Sequence, residues 1–242
     1  MRVTLQPAYL LHRRPFRDSS QLLEVLTAEY GRIGMVARGV RRKARGGSSA
    51  SLLQAFSPLL LSFAGRGELK TLTGVEVGGG IEPLQGDALL SGFYLNELLV
   101  RLLHRDDPQP DVFAAYAVAL ASLAGKAAID EALRAFEFDL LEALGYRVEL
   151  EVDAEAGHRI DAAGQYLYRP GVGLFPCVRE HVADAAAGVY RGADIHAVAK
   201  GDFHGPAGQV AKRLARAALA ELLGDSPLRS RELFRQARQR AR

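Results

Sequence analysis

Three consecutive glycines, Gly78–Gly80 in GVEVGGG, stand where the periodicity of the apolar residues changes. A regular element rarely crosses such a run, because each glycine surrenders more backbone freedom on folding than any other residue. Before the break, apolar residues come in short β-rich runs; after it they recur at helical spacing. The chain is therefore expected to be α+β and multidomain. Residues 1–80 form the β domain. Residues 81–242 form an α-helical bundle domain with a small irregular insert at about 146–205.

Five strands are predicted in the first part: Ala8–His12, Leu22–Thr27, Ile33–Ala37, Pro58–Phe63 and Glu68–Val77. Turns at Tyr30–Arg32 and Gly65–Gly67 separate two of the pairs. A longer connection follows the third strand, and Ser48–Ala55 within it has room for one short helix. Five strands in this layout match an OB-fold β-barrel, a nucleic-acid-binding architecture. Strand count does not fix closure, so an SH3-like barrel stays open.

Beyond the break, Leu89, Leu90, Phe93, Leu98, Leu99, Leu102 and Leu103 make a wide apolar face on a helix over Asp87–His104, with Asp87 as N-cap. Asp111 caps the next helix, through Leu123. A third spans Asp130–Leu144, with Gly145 at its C′ position. Short loops between the three imply a compact bundle. LYRPGVGLFP (Leu167–Pro176) reads as extended or turning. Gln209–Leu223 is helical and stopped by Gly224, and Ser226 and Pro227 open a last short helix, PLRSRELFRQA.

With 48% hydrophobic and 24% charged residues the chain can build a real core. Cys177 is the only cysteine, which excludes an internal disulfide framework and fits a cytoplasmic setting. The start of the chain has no apolar run of signal-peptide length, and its most apolar stretch, Val112–Ala124, is shorter than the ~20 residues of a membrane span.

Charge is unevenly placed. Residues 1–80 carry 12 Lys/Arg against 5 Asp/Glu, residues 81–208 carry 10 against 20, and residues 209–242 carry 9 against 3. Either the basic ends meet a polyanion, or they offset the acidic middle within the molecule.

The motifs of common chemistries are missing. GRGELKT (Gly65–Thr71) has its glycines too close together for a phosphate loop and reads as a hairpin turn. No two of His12, His104, His158, His181, His196 and His204 are spaced i, i+4, and there is neither HExxH nor CxxC. No metal, cofactor or catalytic set is expected.

What remains is ARGVRRKARGG (Ala37–Gly47), with Arg38, Arg41, Arg42, Lys43 and Arg45 and no acid. Lysine and arginine side chains that neutralise phosphates release counterions, giving affinity without sequence preference. Arg13 and Arg14, with Arg17, lie on the first inter-strand connection and are weaker candidates. Tyr9, Phe16, Tyr30 and Phe56 are aromatic candidates for stacking; Tyr9 and Phe56 read as barrel core, and Phe16 suits either role. With no tryptophan, binding should rest on phosphates more than bases. Arg134, at the edge of the apolar face made by Leu133, Phe136, Leu140 and Leu144, suits an acidic, hydrophobic-tipped peptide, against the plainer reading of a surface arginine.

In order along nearly the whole chain, the sequence resembles the RecO family of bacterial DNA repair and recombination mediators. AYLLHRRPFRDSSQLLEVLTAEYGRIGMVARGVRRK is similar to its first three strands and basic loop. LLQAFSPLLLSFAGRGELKTLTGVE is similar to its fourth and fifth strands. SGFYLNELLVRLL and ALRAFEFDLLEALGY resemble its helical signatures, and PLRSRELFRQ its C-terminal motif.

The resemblance implies a non-enzymatic, cytoplasmic, nucleoid-associated protein of the RecF pathway that binds single- and double-stranded DNA and anneals complementary strands. It implies RecR and RecF as partners in loading RecA onto DNA coated by single-stranded-DNA-binding protein (SSB), and contact with the acidic C-terminal tail of SSB, the peptide assigned to Arg134. Many members carry four zinc-binding cysteines where this chain has RVELEVDAEAGHRIDAAGQYLYRPGVGLFPC, which keeps only Cys177; metal is dropped here. The alternative from another class is an OB-fold RNA-binding module. A structural adaptor for an acidic protein and a metal-dependent nuclease are further alternatives. The tail arginines Arg229, Arg231 and Arg235 either bind DNA or pack on the acidic middle.

Overall fold

A computed structural model describes residues 1–17, 20–38, 49–80, 82–125, 128–177 and 188–240. It falls into two compact units, one of Met1–Lys126 with Pro227–Arg242 and the other of Ala127–Ser226.

The first unit is built on five strands: β1 (Arg2–Phe16), β2 (Ser20–Thr27), β3 (Gly31–Ala37), β4 (Pro58–Ala64) and β5 (Leu69–Val77). They close into a barrel in the order β1-β2-β3-β5-β4, the OB layout. All pairs are antiparallel except β3 with β5, whose parallel pairing of Gly34–Val36 with Leu69–Thr71 closes the barrel. Alternate residues point inward, so Leu10, Leu23, Val25, Ile33, Met35, Leu59, Leu61 and Phe63 fill the interior. β1 is long enough to pair with both β2 and β4 because its register shifts twice, between Val3 and Gln6 and between Leu10 and His12. Such irregularities bend a strand around a barrel. A short helix, α1 (Ser49–Leu52), precedes β4, within the stretch expected to hold one.

Two helices follow the barrel, α2 (Gly86–Leu102) and α3 (Pro110–Ala124). The second bulge in β1 leaves the Leu11 carbonyl outside the ladder, and Asn96 of α2 donates to it at 2.9 Å. Tyr116 of α3 donates its hydroxyl to Asn96 Oδ1. Tyr9 packs edge-on against Tyr116 and tilted against Phe113, so it is core, as expected. The segment after α2 also docks on the barrel. The Asp106 N–H donates to the Arg32 carbonyl, and a side chain at Gly31 (φ +64°) would strike the Asp107 carbonyl. The N-caps differ from expectation: helices α2 and α3 begin after Gln85 and Gln109, neither capped by a side chain.

The last helix, α7 (Arg229–Arg240), belongs to this unit and packs on α2. It starts two residues later than Ser226–Pro227 suggested. Glu97 of α2 accepts the backbone N–H groups of Arg229 and Ser230, both at 2.8 Å, and the Ser230 hydroxyl at 2.6 Å. A carboxylate borrowed from another helix thus satisfies the N–H groups that an N-cap side chain would otherwise take.

The second unit contains α4 (Ile129–Ala143), α5 (Gly192–Ala199) and α6 (Gly205–Leu223), with a three-stranded sheet ordered β7-β6-β8. Its strands are β6 (Gln165–Arg169), β7 (Gly173–Pro176) and β8 (Val189–Arg191). α6 packs against both α4 and α5. Gly145, with φ +82°, follows α4 as expected, and Gly224 ends α6. The insert is more regular than the sequence suggested, because β6 and β7 form an antiparallel hairpin across Pro170–Val172.

Candidate nucleic-acid interface

The register of β1, β2 and β3 decides which cations meet. Arg14 lies opposite Leu22, and Leu22 opposite Val36; Phe16 lies opposite Ser20, and Gln21 opposite Ala37. The β1–β2 connection and the exit of β3 therefore share one end of the sheet. Neighbouring strands are ~4.8 Å apart, so β1 and β3 are separated there by roughly 10 Å. Arg13, Arg14 and Arg17 come from the first strand and its turn, and Arg38 from the residue after β3. All four are exposed. Arg41, Arg42, Lys43 and Arg45 follow Arg38 in the chain but lie outside the described residues.

No ion pair with another described residue engages Arg13, Arg14, Arg17 or Arg38. By contrast, Arg32 and Arg105 both pair with Glu24, and Lys70 pairs with Asp106 at 2.9 Å. Among the described residues Arg13 donates once, to the Leu53 carbonyl at 3.0 Å, which leaves most of its five N–H donors for another partner. Arg17, in the left-handed region at φ +52°, sits over the half-buried Phe16 ring at 5.2 Å. Tyr30 packs edge-on against Phe63 of the barrel core.

Arg134 is on α4 in the second unit and is only 4% exposed, so the reading of a plain surface arginine fails. Its Nη2 donates to Glu137 Oε1 at 2.6 Å, one helical turn on. Its Nε and Nη1 have no hydrogen-bond partner among the described residues. Arg229, Arg231 and Arg235 on α7 are exposed.

The segment after α4, where the family resemblance raises the question of zinc, is organised by a carboxylate. Asp153 accepts the N–H groups of Glu155, Ala156 and His158 at 2.9, 2.6 and 2.9 Å. The Ala156 N–H, with those of Glu155 and His158 and the nearby His158 ring, holds its carboxyl below the usual carboxylate range, although desolvation acts the other way. Among the described residues no three His, Cys, Asp or Glu side chains gather closely enough to hold a metal ion. The described residues do not fit a zinc site.

One candidate contact escaped the sequence. Spacing assigns Phe93 to the apolar face of its helix, yet it is 40% exposed beside Phe56. The buried face of α2 instead carries Tyr94, Leu95, Leu98 and Leu99. The signal available was angular: at 100° per residue Phe93 lies on the side of α2 opposite the stripe that these four define. Among the described residues no helix is long and apolar enough to cross a membrane.

Comparison with known proteins agrees with this architecture. The family profile "Recombination protein O N terminal" matches residues 1–80, and "Recombination protein O C terminal" matches residues 83–232. A DNA repair protein RecO of Nitrosococcus oceani is 47% identical over 98% of this chain and 95% of its own length. Proteins of the same name from Methylococcus capsulatus and Pseudomonas aeruginosa are 46% and 44% identical, covering 97% and 95% of this chain and 94% of each relative. The chain belongs to the RecO family.

Proposed function

We propose that this member of the RecO family holds DNA by its phosphates at the β1–β2–β3 end of the barrel and brings complementary strands together. The carrying observation is the register that brings Arg13, Arg14, Arg17 and Arg38 to one end of the sheet, Arg13 and Arg14 on opposite faces of β1, where no described acid neutralises them, while Arg32, Lys70 and Arg105 are paired. Arg41, Arg42, Lys43 and Arg45 follow Arg38 in sequence and add four cations with no acid among them. Charge neutralisation leaves bases free to pair, as annealing requires, and it serves single and double strands alike. The aromatic candidates support this division of labour, since Tyr9, Tyr30 and Phe56 are engaged in packing.

From the family we carry over a role as a mediator without catalytic turnover, associated with the bacterial nucleoid. It acts with RecR and RecF and helps RecA onto strands coated by SSB. We assign Arg134 to the acidic tail of SSB. The support is a guanidinium fixed by Glu137 with two donor nitrogens lacking a described partner. At 4% exposure, the arginine must be uncovered by the incoming peptide. The test of the whole reading is annealing of complementary SSB-coated strands. The protein should accelerate it, and the gain should fall as salt rises; no acceleration at any salt concentration contradicts the reading.

A further inference from the structure

Phe93 borders a cleft of about 400 Å³ within the barrel unit, shared with Arg13, Gln54, Phe56, Glu82 and Leu89. That volume is at the small end of ligand-sized cavities, roughly 300–1,000 Å³. The aromatic pair is held in place by its surroundings. Phe56 sits in the left-handed region at φ +68°, a conformation bulky residues rarely take, and its ring packs edge-on against Phe93 with centroids 5.2 Å apart. Gly92 makes room for it, since a Cβ there would fall 2.8 Å from the Phe56 ring. Phe56 is thereby the buried backing and Phe93 the exposed face.

The polar groups around this face suit a nucleobase. Gln54 spends its amide N–H on the Ser51 carbonyl and keeps its own oxygen as an acceptor, and Glu82 brings a carboxylate. Acceptors of this kind take the exocyclic amines on base edges. Arg13 belongs both to the cleft wall and to the cationic end of the barrel, so a strand whose phosphates lie on that end passes the cleft mouth.

We propose that the Phe93–Phe56 cleft receives an unstacked base of single-stranded DNA, with Phe93 as the stacking surface. A duplex keeps its base faces stacked and cannot use it, so the cleft would favour single strands on a surface that otherwise grips both. This inference rests on the phosphate-binding reading above.

The test compares Phe93→Ala and Phe93→Trp with the unaltered full chain, on a single-stranded oligonucleotide and its duplex. Base–aromatic stacking is worth about 1–3 kcal/mol, so Phe93→Ala should weaken single-strand binding on the order of tenfold or more. Duplex affinity and the salt slope should stay unchanged, because every phosphate keeps its cation. Phe93→Trp should keep the affinity and place the sole tryptophan of the chain in the cleft. Its emission should be quenched by the single strand and not by the duplex. Unchanged single-strand affinity in a Phe93→Ala protein of normal melting temperature overturns the proposal, as does indole emission indifferent to a bound single strand. Binding of neither DNA by the unaltered chain would instead defeat the phosphate-binding reading, and the cleft assignment with it.

Discussion

Glu97 and Ser230 are 133 residues apart in sequence, yet the Glu97 carboxylate accepts both the backbone N–H and the hydroxyl of Ser230, at 2.8 and 2.6 Å. With the Arg229 N–H on its other oxygen, it fastens α7 to α2. Glu97→Ala removes an N-terminal cap and should cost about 1–2 kcal/mol. The change should show as a lower denaturation midpoint and faster proteolytic trimming of the last helix.

The same clasp should loosen in acid. Desolvation alone would raise the Glu97 carboxyl. The Ser230 hydroxyl, the Ser230 and Arg229 N–H groups and the charge of Arg101 outweigh it and leave the group below the usual carboxylate range. A folded-state value below the unfolded one means stability present above the unfolded value and lost as pH falls through the folded one. The stability gap between the unaltered chain and Glu97→Gln should therefore be widest near neutrality and narrow below the usual carboxylate range. Paired denaturant titrations across pH read this directly.

Asn96 joins three elements, donating to the Leu11 carbonyl of β1 and accepting from Tyr116 of α3. Asn96→Ala takes away both of these buried bonds, to the Leu11 carbonyl and from the Tyr116 hydroxyl. It should cost about 1–3 kcal/mol, seen in the urea midpoint. Tyr116→Phe leaves the bond to the Leu11 carbonyl in place and should cost less.

Arg134 and Glu137 form a buried pair, 4% and 0% exposed. Removing one partner of such a pair typically costs about 3–5 kcal/mol, whereas replacing both with apolar residues of similar volume is often neutral. Arg134→Ala should destabilise the protein strongly, and Arg134→Met with Glu137→Leu should recover most of the loss. The double variant, being stable, then gives a clean measure of SSB-tail affinity, which should fall. Retained tail affinity in it removes Arg134 from that role.

The barrel was legible because its strands announce themselves locally: alternation in β4, and glycine corners at Gly31 and Gly65. The full length of β1 was not, since polar Gln6, Arg13 and Arg14 interrupt its apolar pattern while the bulges keep it paired. Helix α5 and strand β8 escape the sequence because they are short, eight and three residues, too few to establish a period. The α7 start was misplaced because its cap comes from Glu97, which no local rule can foresee. At the site, sequence supplied the cations and the register supplied their grouping. Burial of Arg134 contradicts the ordinary preference of arginine for the surface, although Glu137 at i+3 was a readable hint. Exposure of Phe93 depended on where the buried stripe of α2 falls, a tertiary fact.

The central claim is that the basic end of the barrel grips phosphates. It is tested most directly by the salt dependence of single-stranded DNA binding in a variant with Arg38, Arg41, Arg42, Lys43 and Arg45 all changed to alanine. Every phosphate left without its cation should make the log–log slope shallower by about 0.7 and lower the affinity at modest salt. A folded variant whose affinity and slope match those of the unaltered chain would contradict the account.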